Sequence, residues 1–218
     1  RRQSKMSWQQ MLAMSVQNAL PSCIRILGGV AVAFALGVML ACLRYSLPAR
    51  LQKNFLFNFL LEAPRYPPPI AWIPFVILLA GIGELSATII VVIGAFFPIF
   101  TSTYAGLQAI PRALLWSAQS LDLPRLRYIR EILLPAALPQ ILGGLRIGLG
   151  MGWMSVIAAE MVSGDSGLGY SIQLERMNMQ YRAMLLDIVL IGLIGFVLSL
   201  AMNALEKRLL GWTDVIRT

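Results

Sequence analysis

Apolar runs bounded by single charges divide this chain. Residues 26–43 form an 18-residue window without charge between Arg25 and Arg44. Residues 66–83 form another of 18 between Arg65 and Glu84, residues 85–111 one of 27 between Glu84 and Arg112, and residues 188–205 one of 18 between Asp187 and Glu206. A bilayer core about 30 Å thick needs roughly 20 apolar helical residues, so each window predicts a membrane span. Residues 132–159 add a further span if Arg146 snorkels to an interface or faces protein or water. The pattern predicts an all-α polytopic membrane protein with five helices, over 22–43, 68–83, 86–106, 136–162 and 184–206.

Composition agrees. Of the 218 residues, 58% are hydrophobic and 13% charged, against about 45–50% and about a quarter in soluble domains. The mean hydropathy of +0.72 exceeds what one soluble core of this size would bury. With no histidine, imidazole catalysis and His-ligated metal sites are excluded. Cys23 and Cys42 flank one predicted helix. They lie roughly 28 Å apart at 1.5 Å per residue, too far for a disulfide. The net charge of +8 is spread over loops at membrane edges, which argues against nucleic acid and for contact with lipid headgroups.

Basic residues set an expected orientation. Arg44, Arg50, Lys53, Arg112, Arg125, Arg127, Arg130, Lys207, Arg208 and Arg217 fall on one side of five alternating spans. Arg1, Arg2, Lys5, Arg176 and Arg182 fall on the other, with Arg25 at a span edge. The richer side is read as cytoplasmic. The charged N-terminal segment then lies outside, which fits a further span upstream of Arg1.

Within the spans, Gly29, Ala33, Gly37 and Ala41 recur every fourth residue, and Gly144, Gly148 and Gly152 repeat the pattern beside Gly143 and Gly150. Such ridges allow close backbone approach, either within one subunit or across a dimer. Pro67, Pro68 and Pro69 cannot continue a preceding helix. Pro74, near Trp72, and Pro98 predict loosened backbone, as a static kink or along a watery path.

The segment 110–135 is polar enough to leave the membrane. Pro111 can open a short helix whose apolar face is Leu114, Leu115, Ala118 and Leu121. Asp122-Leu123-Pro124 then turns into a second helix carrying Arg125, Arg127 and Arg130, and Leu134-Pro135 leads back into the bilayer. An apolar knob with a basic flank suits a groove on a soluble partner, or a surface hairpin on lipid.

Here the chain resembles the permease subunits of ATP-binding-cassette importers, whose cytoplasmic loop reads Glu-Ala-Ala, three residues, Gly, nine residues, Ile, one residue, Leu-Pro. That spacing lies on Trp116-Ser117-Ala118, Asp122, Ile132, Leu134 and Pro135, with Trp in place of Glu and Asp in place of Gly. Pro69-Ile-Ala-Trp-Ile-Pro74, Gly81-Ile-Gly-Glu84, Gly94-Ala-Phe-Phe-Pro98, Ala158-Ala-Glu160 and Gly167-Leu-Gly-Tyr170 follow in the order of the nitrate, sulfonate and taurine group. The resemblance spans roughly residues 24–212.

It implies a single permease domain over 1–218 with a six-span family plan, 110–135 as the coupling loop, and no chemistry of its own. It implies a bacterial inner-membrane location with that loop and the C-terminus cytoplasmic. The implied partners are a second, identical permease, two ATPases that hold the ATP and Mg, and a periplasmic or lipid-anchored solute-binding protein. Leu115, Trp116, Ser117, Ala118, Leu121, Asp122, Ile132, Leu134 and Pro135 would meet the ATPase. Trp72, Pro74, Pro98, Arg146, Trp153 and Glu160 are the pathway or gating candidates. The implied solute is a small anion: a sulfonate or taurine first, with nitrate, bicarbonate and cyanate sharing the architecture. A channel or secondary carrier is the alternative, though no repeat of the kind carriers show is evident.

Overall fold

A computed structural model describes residues 8–119 and 123–211. Among them there are helices and turns and no strand: α1 (Trp8–Tyr45), α2 (Ala49–Gln52), α3 (Phe55–Glu62), α4 (Ile73–Ala80), α5 (Glu84–Gln108), α6 (Arg112–Gln119), α7 (Arg125–Tyr128), α8 (Leu134–Ser163), α9 (Leu168–Met177) and α10 (Tyr181–Leu210).

Among the described residues four stretches are long and apolar enough to cross a bilayer: Met11–Tyr45, Glu84–Gln108, Leu126–Val162 and Tyr181–Leu210. The expected helix over 68–83 is corrected to a shorter element. It is a 3-10 turn, Pro69–Trp72, running into the eight-residue α4. At about 1.5 Å per residue this reaches well under the 30 Å of a hydrocarbon core. Proline limits it at one end, where Pro68 is extended at ψ 148°, and glycine at the other, where Gly81 takes φ +79°. Pro74 sits in the first turn of α4, so it opens that helix instead of kinking it.

The chain nevertheless crosses there. Arg25 of α1 meets Glu84 at the start of α5, and Arg44 near the end of α1 lies 4.1 Å from the ring centroid of Tyr104 near the end of α5. The two helices are therefore parallel, and residues 46–83 must return through the full thickness. They do so as a composite of α3, turns, the 3-10 segment and α4. α8 runs antiparallel to α5, bringing Glu160 to Arg25 at one end, while Ala137 and Ile141 pack in one cluster with Ala41 and Tyr104 at the other. These are called below the Arg25 end and the Arg44 end.

Close approach of α1 and α8 to α5 makes the core. Ile26, Val30, Ala33, Val91, Ala95, Ile99, Trp153 and Val156 form its centre, and Ala33 and Ala41 are fully buried. A Cβ on Gly37 would sit 3.0 Å from Ile99, and one on Gly148 2.9 Å from the Ala95 carbonyl. Both small-residue ridges thus pack within the chain, where van der Waals contact takes over the role of the hydrophobic effect. Gly143 and Gly150 face open space.

Candidate functional site

The Arg25 end carries a charge cluster centred on the buried Arg25 and Glu160, with the exposed Glu84 and Asp165 at its rim. The Arg25 guanidinium donates through Nη1 to Glu160 Oε1 and to the Ser166 carbonyl, each at 2.8 Å, and through Nε to Glu84 Oε2 at 2.8 Å. Its Nη2 donates to Ser166 Oγ at 2.7 Å, reaches Glu84 Oε1, and lies 3.5 Å from Asp165 Oδ1. Glu160 also accepts from the Gly169 N–H at 3.0 Å and from Ser22 Oγ, 2.8 Å from its Oε1 and 2.9 Å from its Oε2. Ser22 Oγ in turn accepts the Leu168 N–H at 3.0 Å. The turn delivering these amides needs Gly167, at φ +102°, where a side chain would strike the Glu160 carboxyl. Glu160 therefore faces protein and is held by α1, in keeping with the cost of leaving a carboxylate bare in a bilayer.

Halfway between the two ends, a cavity of about 430 Å³ opens on the flank shared by α5 and α8. One wall is Ile93, Gly94, Phe97, Pro98, Thr101 and Ser102 of α5; another is Ile147 and Met151 of α8; the third is the turn from Pro64 to Pro69. Pro98 supplies no N–H to the Gly94 carbonyl, yet α5 stays helical through it. Thr101 Oγ1 donates to the Phe97 carbonyl at 2.8 Å. Among the residues lining the cavity, Arg65 alone carries a charge.

Other sequence-derived candidates lie elsewhere. Arg146 is paired with Asn203 and Glu206 of α10, and Trp153 donates to the Ile191 carbonyl at 3.3 Å. Both line a separate, smaller cavity against α10, so the structure does not bring them to the one at mid-depth. Trp72 packs beside Ile73 and Val76, edge-on to Phe75. Of the six pathway candidates, only Pro98 reaches the mid-depth cavity.

The Arg44 end carries the segment that joins α5 to α8. Leu115 is half-buried against the cluster of Leu107, Ile110 and Leu133, whereas Trp116 is 65% exposed. Ser117 and Ala118 lie within α6, while Leu121 and Asp122 lie outside the described residues. α7 does not end in a loop. A π-turn, Ile129–Leu133, carries it straight into α8, with Leu134 N–H bonded to the Ile129 carbonyl. Pro135 and Pro139 lack N–H donors for the carbonyls of the preceding turn, so a wider turn relieves the ladder there. Ile132 and Leu134 are half-buried and Pro135 is exposed. The exposed Arg127 and Arg130 flank the exposed Leu126.

Sequence reasoning missed two residues. Arg25 and Arg65 entered it only as the borders of apolar windows. The partners of Arg25 come from distant positions: Glu84 and Glu160 lie 59 and 135 residues away. For Arg65 one signal was available, an arginine set among prolines at the mouth of a broken span.

Parallel, closely packed spans, a composite crossing, a mid-depth cavity and an amphipathic segment at one end define a polytopic membrane protein of the transport class. The model of the family described as "Binding-protein-dependent transport system inner membrane component" matches residues 33–211, and the chain belongs to that family. It is 32% identical over 205 residues to the taurine transport system permease protein TauC of Escherichia coli, covering 94% of this chain and 70% of that one. It is 29% identical over 202 residues to the nitrate import permease protein NrtB of Leptolyngbya laminosa, covering 92% and 68%. Its fold matches a chain of the MetNI methionine ABC transporter in an inward-facing conformation, with a TM-score of 0.78 at 22% identity, over 94% of this chain and 99% of that one. Family membership sets aside the channel and secondary-carrier alternatives. The chain is a multi-pass membrane permease component of an ABC importer, a class that works with ATPase subunits.

Proposed function

We propose that this chain is the permease subunit of an ATP-driven importer of a small anion, an aliphatic sulfonate or taurine first, with nitrate, bicarbonate and cyanate as the competing solutes. The observation that carries the reading is connectivity. The α6–α7 segment joins α5 directly to α8, and those two helices form two walls of the mid-depth cavity. A push on the segment reaches α8 through the continuous helical run 125–133 and reaches α5 through the short connection 109–111.

Two identical copies enclose the path between their cavity-bearing flanks. Two ATPases bind the 110–135 segments and hold the ATP and Mg. The Arg44 end and the C-terminus face the cytoplasm, and a periplasmic or lipid-anchored binding protein delivers solute to the Arg25 end. Each nucleotide state of the ATPases favours one access state of the permease.

The test is reconstitution with ATPase and binding protein in vesicles. ATP-dependent uptake of labelled taurine or ethanesulfonate is expected, with ATP hydrolysis stimulated by loaded binding protein. Uptake of a solute without an oxyanion group in preference to all of these would refute the reading.

A further inference from the structure

We infer that the mid-depth cavity is a solute site in its own right, and that Arg65 is the group that contacts the oxyanion of the passing solute. This deepens the importer reading above and rests on it.

The charge balance around Arg65 is the first ground. Glu62 Oε1 lies 3.3 Å from Arg44 Nη2, and Glu62 Oε2 lies 3.5 Å from Arg65 Nη2. Two guanidiniums thus share one carboxylate, leaving a net positive charge. Arg44 is the one held firmly: it is buried, bonded to Asn58 Oδ1 at 2.8 Å, and stacked over Tyr104. Among the described residues Arg65 has the long contact to Glu62 and lies 5.1 Å over the ring of Tyr66, with its side chain 37% exposed. A guanidinium packed on an aromatic face keeps its N–H edge available for a bidentate oxyanion.

Placement is the second ground. Pro64, Pro67 and Pro69 fix the turn that carries Arg65, so little freedom is lost on binding. Opposite it stand Ser102, a hydroxyl donor, and Phe97 and Met151, an apolar bed for a short carbon chain. The volume of about 430 Å³ falls within the roughly 300–1,000 Å³ of small-molecule sites. The lining discriminates by sign: a cation would meet the guanidinium and no lining carboxylate. One exposed arginine, instead of a cage of them, lets the anion enter and leave.

The experiment uses the reconstituted complex with wild-type chain, Arg65→Gln, Arg65→Lys and Ile147→Trp. Uptake of labelled taurine, ethanesulfonate, nitrate and bicarbonate is measured beside basal ATP hydrolysis, which reports assembly. Arg65→Gln is expected to lower anion uptake at least ten-fold while the concentration of loaded binding protein giving half-maximal ATP hydrolysis stays unchanged. Arg65→Lys, which keeps charge without the fork, is expected to fall in between. Ile147→Trp fills the cavity from the α8 wall while leaving the arginine itself in place, and is also expected to block uptake. If wild type carries an anion and both Arg65→Gln and Ile147→Trp carry it equally well, the inference is overturned. If Arg65→Gln does not assemble, wild-type uptake by Ile147→Trp overturns it alone. If wild type carries none of the four anions, the importer reading fails instead.

Discussion

Arg25 and Glu160, 135 positions apart in sequence, meet at 2.8 Å with side chains 1% and 0% exposed. This pair ties α1 to the end of α8 and to the turn before α9. Removing one member of a buried pair leaves an uncompensated charge, at a cost of about 3–5 kcal/mol. Glu84 also contacts Arg25, so Glu160→Gln is expected at the low end, near 3 kcal/mol, and Arg25→Met at a similar level. The double variant is expected to recover part of the loss. Thermal unfolding of the four proteins in one detergent gives the coupling energy, and strictly additive losses would show that the pair is not a unit.

Glu175 supplies a pH dependence. Burial, and then the neighbouring Asp187, raise its carboxyl from 4.5 to about 7, against the opposing hydrogen bond from Ser171. Its folded pKa thus exceeds its unfolded one, so the folded state holds more protons between these values. Its contribution to stability is fully present below about pH 4.5 and is lost as pH rises to about 7. Glu175→Gln is expected to flatten the dependence of Tm over that window. An unchanged slope would remove Glu175 as its source.

Asp187 is fully buried and neither carboxylate oxygen has a hydrogen-bond partner among the described residues. A bare buried carboxylate is costly. Asp187→Asn is accordingly expected to raise Tm at neutral pH and to shift the titration of Glu175 downward. A fall in Tm would mean that Asp187 finds a cationic partner in the assembled protein.

Trp116 projects from the Arg44 end, 65% exposed. As a docking anchor, Trp116→Ala should weaken ATPase binding by about 2 kcal/mol, roughly thirty-fold in Kd. The Tm of the isolated chain should move little. Ala118→Arg should break transport from ATP hydrolysis. Unchanged affinity in the first and intact coupling in the second would detach the 110–135 segment from the ATPase.

Gly148 and Gly150 should diverge. Gly148→Leu forces a side chain against the Ala95 carbonyl and is expected to cost about 1–3 kcal/mol by overpacking. Gly150→Ala meets nothing within 4 Å and should gain roughly 0.5–1 kcal/mol from the helix-interior preference for alanine. Unfolding midpoints of the two variants separate these outcomes.

The helical class and the packing ridges were legible in the sequence because both depend on local period: apolar windows of bilayer length, and glycine or alanine at every fourth position. The second span was read as too long because hydropathy does not register a missing hydrogen bond. A window from Tyr66 to Gly83 looks continuous until Pro68 and Gly81 break its backbone. Arg25 and Glu206 were boundary marks in a one-dimensional scan, and their partners became visible only when distant helices met; Arg65 was a boundary mark too, and what escaped the scan was the cavity it lines. Arg146 was read as a snorkelling residue or a pathway candidate because its partner Glu206 lies 60 residues away.

The composite crossing also dictates how the chain must enter the bilayer during synthesis. The twelve-residue apolar stretch Pro69–Ala80 is too short to partition into lipid as an independent unit. It would leave unpaired carbonyls at its ends until α5 arrives to cover Ile73 and Val76. Residues 46–108 are therefore expected to enter the bilayer together as one hairpin, the broken segment settling only once the helix that follows it is in place.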